Sequence, residues 1–164
     1  LAKAGWLDSD EALDTSTEIY VQRQRLQQSE NGDLAWLKPS RLSPPPPLMR
    51  PDETVYLTLK PAVYGEASPP PKVKLPFGLG QPQMRVLDSG TCYITDSKIH
   101  LLGQQRDRSN RLSEISHLDY QGGEWFIQVT VGDQPYQYQG MNLSATVDAE
   151  VIIAIIRRLA SQGA

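Results

Sequence analysis

The sequence predicts an α+β domain in which about seven short antiparallel strands form a β-barrel or an orthogonal β-sandwich, capped by a C-terminal helix and preceded by a helical arm. Three observations lead there. Apolar residues recur with a period of two between clusters of turn residues from Pro51 to Gln139. The period changes to three and four from Val147 to Leu159. Of the thirteen prolines, eleven lie between Pro39 and Pro76, so a helical stretch is set apart from the strands by a stiff region. The expected division is an appendage over residues 1–38, a proline-rich linker over 39–51 and a β-rich domain over 52–162.

Asp10 to Glu30 contains neither Gly nor Pro, opens on acids and carries Arg23 and Arg25 towards its end, a charge order that suits a helix dipole. Its apolar stripe (Leu13, Ile19, Tyr20, Leu26) is incomplete, so the helix has to lean on something else. Asn31-Gly32 closes it, and Leu34-Ala35-Trp36-Leu37 is expected to dock onto the following domain as a short apolar turn. Ser43 to Pro47 has fixed φ angles and few donors, which predicts polyproline II and a spacer. Arg41, Pro44 and Pro47 also fit the spacing that proline-recognising aromatic grooves accept.

Thr54–Leu59 alternates as a half-buried strand, with Ala62–Ala67 as its hairpin partner, and Ser68–Gln83 reads as a long loop. Met84–Leu87, Thr91–Thr95 and Lys98–Leu102 read as strands, with tight turns at Asp88-Ser89-Gly90 and Asp96-Ser97. Gln104–Asn110 reads as a polar loop. Leu112–Tyr120, Trp125–Val131 and Pro135–Gln139 complete the strands, separated by Gly122-Gly123 and Gly132-Asp133. The closing helix carries Val151, Ile152, Ile155, Ile156 and Leu159 on one side, with Ser144 or Thr146 as the expected cap. Each such side chain contributes about 1.5–3 kcal/mol when buried, which makes this helix a core element.

Composition narrows the function. The longest apolar run, Val151–Ile156, is far too short to span a bilayer as a helix. A net charge of -3 and the lack of a dense basic block argue against nucleic acid. A single cysteine, Cys92, supplies neither an internal disulfide nor a cysteine zinc site, and leans the expectation to the cytoplasm. Leu1 in place of a starting methionine suggests a piece of a larger, even membrane-associated, protein.

One stretch sharpens the fold. In Gly90-Thr91-Cys92-Tyr93-Ile94-Thr95-Asp96-Ser97-Lys98-Ile99-His100-Leu101, a glycine precedes an apolar strand, a Thr-Asp turn, a basic residue and a second apolar strand. This resembles the central hairpin of GRAM and bacterial pleckstrin-homology-like domains. Asp52 to Leu57 is similar to that family's opening strand, Leu112 to Leu118 to the strand whose isoleucine plugs the core, and Val147–Leu159 to its terminal helix. The resemblance spans about residues 51–159. It implies a non-catalytic module that binds a protein partner, another part of the parent chain or, less readily, anionic lipid. The cations that phosphoinositide-binding members show around the first strand pair are sparse here, with Lys60, Lys72, Lys74 and Arg85 set among prolines.

Candidate chemistry is thin. Val86-Leu87-Asp88-Ser89-Gly90-Thr91 has the setting of an aspartic peptidase acid, which would require dimerisation to pair two Asp88 carboxylates. The alternative reading makes Asp88 and Ser89 backbone-bonding turn residues. His100 and His117 sit among strand residues, without metal-ligand spacing. Cys92 points inward as a small hydrophobe, and Gly78-Leu79-Gly80 is too short to cradle a phosphate. No metal or cofactor is called for. The candidate ligand or partner surface is Lys72 and Lys74 on the long loop, with Arg106, Arg108 and Arg111 on the arginine loop. The oligomeric state stays open.

Overall fold

A computed structural model describes residues 9–67, 84–141 and 148–162, with the side chains of the first helix described from Tyr20 onward. That helix, α1 (Ser9–Glu30), ends in a Schellman motif: Asp33 N–H donates to Gln28 C=O at 2.8 Å and Gly32 N–H to Ser29 C=O at 3.1 Å. Gly32 takes a φ of 84°, which a residue with a Cβ seldom adopts. Seven strands follow: β1 (Val55–Ala67), β2 (Met84–Thr95), β3 (Lys98–Gly103), β4 (Asp107–Arg111), β5 (Ile115–Gln121), β6 (Glu124–Val131) and β7 (Gln134–Met141). The last helix is α2 (Ala149–Gln162).

The strands form one antiparallel sheet in the order β4-β3-β2-β1-β7-β6-β5, curled into a half-barrel. β1 is the corner. Its first half pairs with β2, whereas Ala62–Glu66 bonds both β2 and β7, and the register shifts between Leu59 and Ala62. Pro61 falls at that irregularity, where its missing N–H breaks no ladder bond. One continuous strand therefore replaces the expected hairpin across Lys60-Pro61.

A second fusion occurs in β2, where Asp88-Ser89-Gly90 is not a turn but the middle of a 12-residue strand. Gly90 pairs with Gly103 of β3, and a Cβ at Gly90 would overlap the Leu102 carbonyl. The glycine permits close backbone approach rather than a turn. The polar stretch read as a loop shortens to the connection before β4, which pairs with β3 from Lys98↔Arg111 to Leu102↔Asp107. Leu112–Glu114 is a 3-10 turn that precedes β5, with Leu112 buried in the core and Ile115 only half-buried. The Gly122 and Gly132 turns stand as expected, each with positive φ.

Cys92, Ile94, Ile99 and Leu101 line the concave side with no exposure, together with Leu57, Leu59, Trp125, Ile127 and Val129. α2 seals this side with Val151, Ile152, Ile155, Ile156 and Leu159. Its start is capped by Asp148, whose carboxylate accepts the Val151 N–H at 3.0 Å; Ser144 and Thr146 lie outside the described residues. Ile153 and Ala154 are buried too, so α2 is covered on more than one side. α1 runs alongside α2 in the same direction: Gln22 Oε1 accepts the Asp148 N–H at 3.3 Å, and the Arg158 guanidinium lies against Gly32. Leu34 joins the same core and Trp36 and Leu37 pack on it, as the apolar turn predicts.

The proline-rich segment does not act as a spacer. Ser40 and Val55 exchange both backbone hydrogen bonds, at 3.2 and 2.8 Å, which pins the two ends of residues 41–54 together. The loop turns at Pro46–Met49 and buries Met49 and Glu53. Among the described residues, no helix is long and apolar enough to cross a membrane.

Candidate functional site

Two buried carboxylate hubs and two clefts near the end of α2 stand out among the described residues. The first hub is Asp88, whose side chain is 1% exposed. Its carboxylate accepts the N–H groups of Ser89 (2.8 Å), Gln105 (3.0 Å) and Arg106 (3.1 Å), and Arg108 Nη1 at 2.5 Å. Burial alone would raise its pKa, but these four donors outweigh it and hold the carboxyl at about 2. The Arg108 guanidinium in turn lies 4.8 Å from the centroid of Tyr64, which stacks on Tyr136. Asp88 thus ties the β3–β4 connection to β2. A general acid or base needs a carboxyl that exchanges protons near working pH and faces water; this one does neither.

The second hub is Glu53, 1% exposed. Its Oε2 accepts the Arg50 N–H at 2.6 Å; its Oε1 accepts His100 Nε2 at 2.8 Å, the Thr95 hydroxyl at 2.9 Å and the Ser97 hydroxyl at 3.3 Å. Burial works against the charge, but the bonds from His100, the Arg50 backbone and Thr95 keep the Glu53 carboxyl below its ordinary range. A carboxylate acceptor fixes the proton on Nε2, which leaves His100 Nδ1 facing Ser109 Oγ at 2.6 Å. The order Ser109–His100–Glu53 has the connectivity of a hydrolytic triad. Its imidazole is wholly enclosed, however, and neither of the two adjoining clefts is lined by Ser109. The chain serves to clasp the proline-rich loop over the outer side of β3. His117, by contrast, is exposed, 3.9 Å from Asp119.

The first cleft adjoins the Glu53 hub and shares Arg50 and Ser97 with it, while the second shares no residue with either hub. The first, of about 380 Å³, is bounded by Arg50, Asp96, Ser97, Lys98, Arg111 and Ser113. The second, of about 470 Å³, runs between β5 and the end of α2, lined by Ile115, Ser116, His117, Leu118 and Arg157. Ala160 borders both. β5 is an edge strand of the sheet. The two-residue turn at Gly122-Gly123 makes Gln121 and Glu124 a hydrogen-bonded pair, which turns the backbone groups of Leu118 and Tyr120 outward. In agreement, the Tyr120 N–H is held by its neighbour Asp119 at 2.8 Å, not by β6.

The three arginines named for the candidate surface are parted. Arg108 turns inward to Asp88, Arg106 gives its backbone N–H to the same carboxylate with its side chain exposed, and Arg111 stands at the other end of β4 beside Lys98. Lys72 and Lys74 lie outside the described residues. Sequence reasoning missed Glu53, Arg50 and Lys98, and it missed Arg157 of the β5 groove. Period-two alternation hid β4 because its five residues are all polar, and without β4 the Lys98–Arg111 pairing is invisible. Among the described residues no cluster of His, Cys, Asp and Glu forms a metal site. Compared with protein-family models and with curated proteins, the chain matches none.

Proposed function

We propose that the chain is a non-catalytic binding or assembly module of the pleckstrin-homology-like, GRAM type, and that it holds an extended segment of a protein partner or of its own parent chain. The observation that carries this reading is the open edge of β5 beside the groove to α2. An added strand gains main-chain hydrogen bonds from the edge and places alternate side chains on Ile115 and Leu118. The opposite edge, β4, is shorter and flanked by charge, a composition that discourages strand addition. The peptidase reading of Asp88 gains nothing from a carboxylate already saturated by four donors. An anionic membrane as main ligand sits poorly with a chain of net charge -3.

Selection of a displayed random peptide library on the immobilised chain tests the reading. Selected peptides should bind the wild type and Tyr120→Phe alike, whereas Tyr120→Pro, which deletes an outward donor at an exposed edge position, should weaken them about tenfold. Equal binding to all three proteins would refute strand addition at β5.

A further inference from the structure

Lys98 and Arg111 are direct cross-strand partners in the β3–β4 ladder. Like charges placed opposite each other on a sheet destabilise it unless a counter-charge lies between them. Among the described residues none does: neither side chain has an ion pair, Asp96, the acid nearest Lys98 in sequence, accepts the Thr54 N–H at 3.3 Å, and Glu114, the acid nearest Arg111, accepts the Arg111 backbone N–H at 2.8 Å. Arg50 adds a third cation to the same cleft. Its contact to Asp52 is long, at 3.5 Å, and both groups are well exposed, so it is weakly held. Against three cations the cleft lining offers one acid, Asp96, a local balance of +2 in a chain whose total is -3. Ser97 and Ser113 line the same wall, and the Ser97 hydroxyl is already given to Glu53 at 3.3 Å.

We propose that this cleft receives a phosphoryl group, carried on a phosphorylated side chain of the partner segment that lies along β5. Two cations without an ion pair, a weakly paired third and Ser113 beside them match a dianion with three acceptor oxygens better than a single carboxylate. The volume of about 380 Å³ admits a phosphorylated side chain with part of its backbone. The shared border at Ala160 makes a protein segment the fitting source, because the 3-10 turn Leu112–Glu114 that precedes β5 contributes Leu112 and Ser113 to the cleft. The identity of the carrier rests on the strand-addition reading above; the phosphoryl site itself does not.

The test begins with inorganic phosphate and O-phosphoserine titrated into the isotopically labelled chain at low salt. Saturable amide shifts at Ser97, Lys98 and Arg111 to Ser113 are expected, and they should weaken at least about tenfold in the double variant Lys98→Gln with Arg111→Gln and fade as ionic strength rises. Because removing a repelling pair should not harm the fold, the double variant should melt no lower than the wild type. Absence of shifts at these amides, or shifts that survive in the double variant, would overturn the site. A second arm compares phosphoserine-containing library peptides with vesicles bearing phosphoinositide. Sedimentation with vesicles that is lost in the double variant, without a phosphopeptide preference, would overturn the protein source. Peptides that bind but ignore the double variant would remove this inference and leave the β5 reading intact.

Discussion

Replacing Asp88 by Asn isolates what one buried carboxylate does. The side chain is 1% exposed and accepts four hydrogen bonds, so solvent screening takes little from its interactions. Moving a carboxyl from its ordinary 3.8 to about 2 corresponds to about 2 kcal/mol of stability at neutral pH. The sign follows from the direction: the folded pKa is depressed, so the contribution is complete above the unfolded value and is lost as pH falls through about 4 towards 2. Asn keeps the shape but turns an amide NH2 towards N–H donors, which adds a further cost of about 1 kcal/mol or more. Chemical denaturation should therefore show Asp88→Asn about 2–3 kcal/mol less stable than wild type at pH 7, with the gap narrowing below pH 4. Incubation with an unfolded substrate at acidic pH supplies the opposing readout. A variant as stable as wild type, together with an acid-dependent cleavage that disappears in Asp88→Asn, would refute the structural role and restore the peptidase.

Glu53→Ala strands His100, Thr95 and the Arg50 N–H in a buried site, and a loss of about 3–5 kcal/mol is expected from breaking such a cluster. The same change should open residues 41–54 to protease before the sheet unfolds, whereas cleavage confined to the globally unfolded state would contradict the clasp. Since the Glu53 carboxyl is also held low, wild-type protection of this loop should decline as the medium is acidified. Burial pushes the Cys92 thiol up to about 12, so it should react with a thiol reagent only at the rate of unfolding; fast labelling of the folded chain would place it elsewhere.

Much of this architecture was legible in the residues. Burial at Cys92, Ile94, Ile99 and Leu101 follows from strict alternation, and Thr95 turns the β2–β3 corner with its hydroxyl accepting the Ser97 and Lys98 N–H groups, as a Thr-Asp turn should. α2 is legible because five large aliphatic residues, Val151, Ile152, Ile155, Ile156 and Leu159, share a helical period. The misplaced turns have a common cause. Pro61 and Gly90 punctuate a sequence but here sit within long strands, one at a register shift and one where two backbones meet. The proline-rich loop was misjudged as a spacer because its fate is set by Glu53, whose partners lie 42 and 47 positions away in sequence. No local pattern encodes that. The candidate surface fared differently by residue: Arg111 faces a cleft, while Arg108 is spent on Asp88, since a polar β4 alternates its arginines between the two sides of the sheet.

The curled sheet and α2 leave β5 as the place where backbone polarity, half-buried apolar side chains and a cation meet at the surface. Amide hydrogen exchange of the chain with and without a library-selected peptide tests this most directly. The account predicts new protection at Leu118 and Tyr120, with the β4 edge and the Asp88 region unchanged. Protection that spares β5 and appears at β4, or around Asp88 and Arg108, would contradict it.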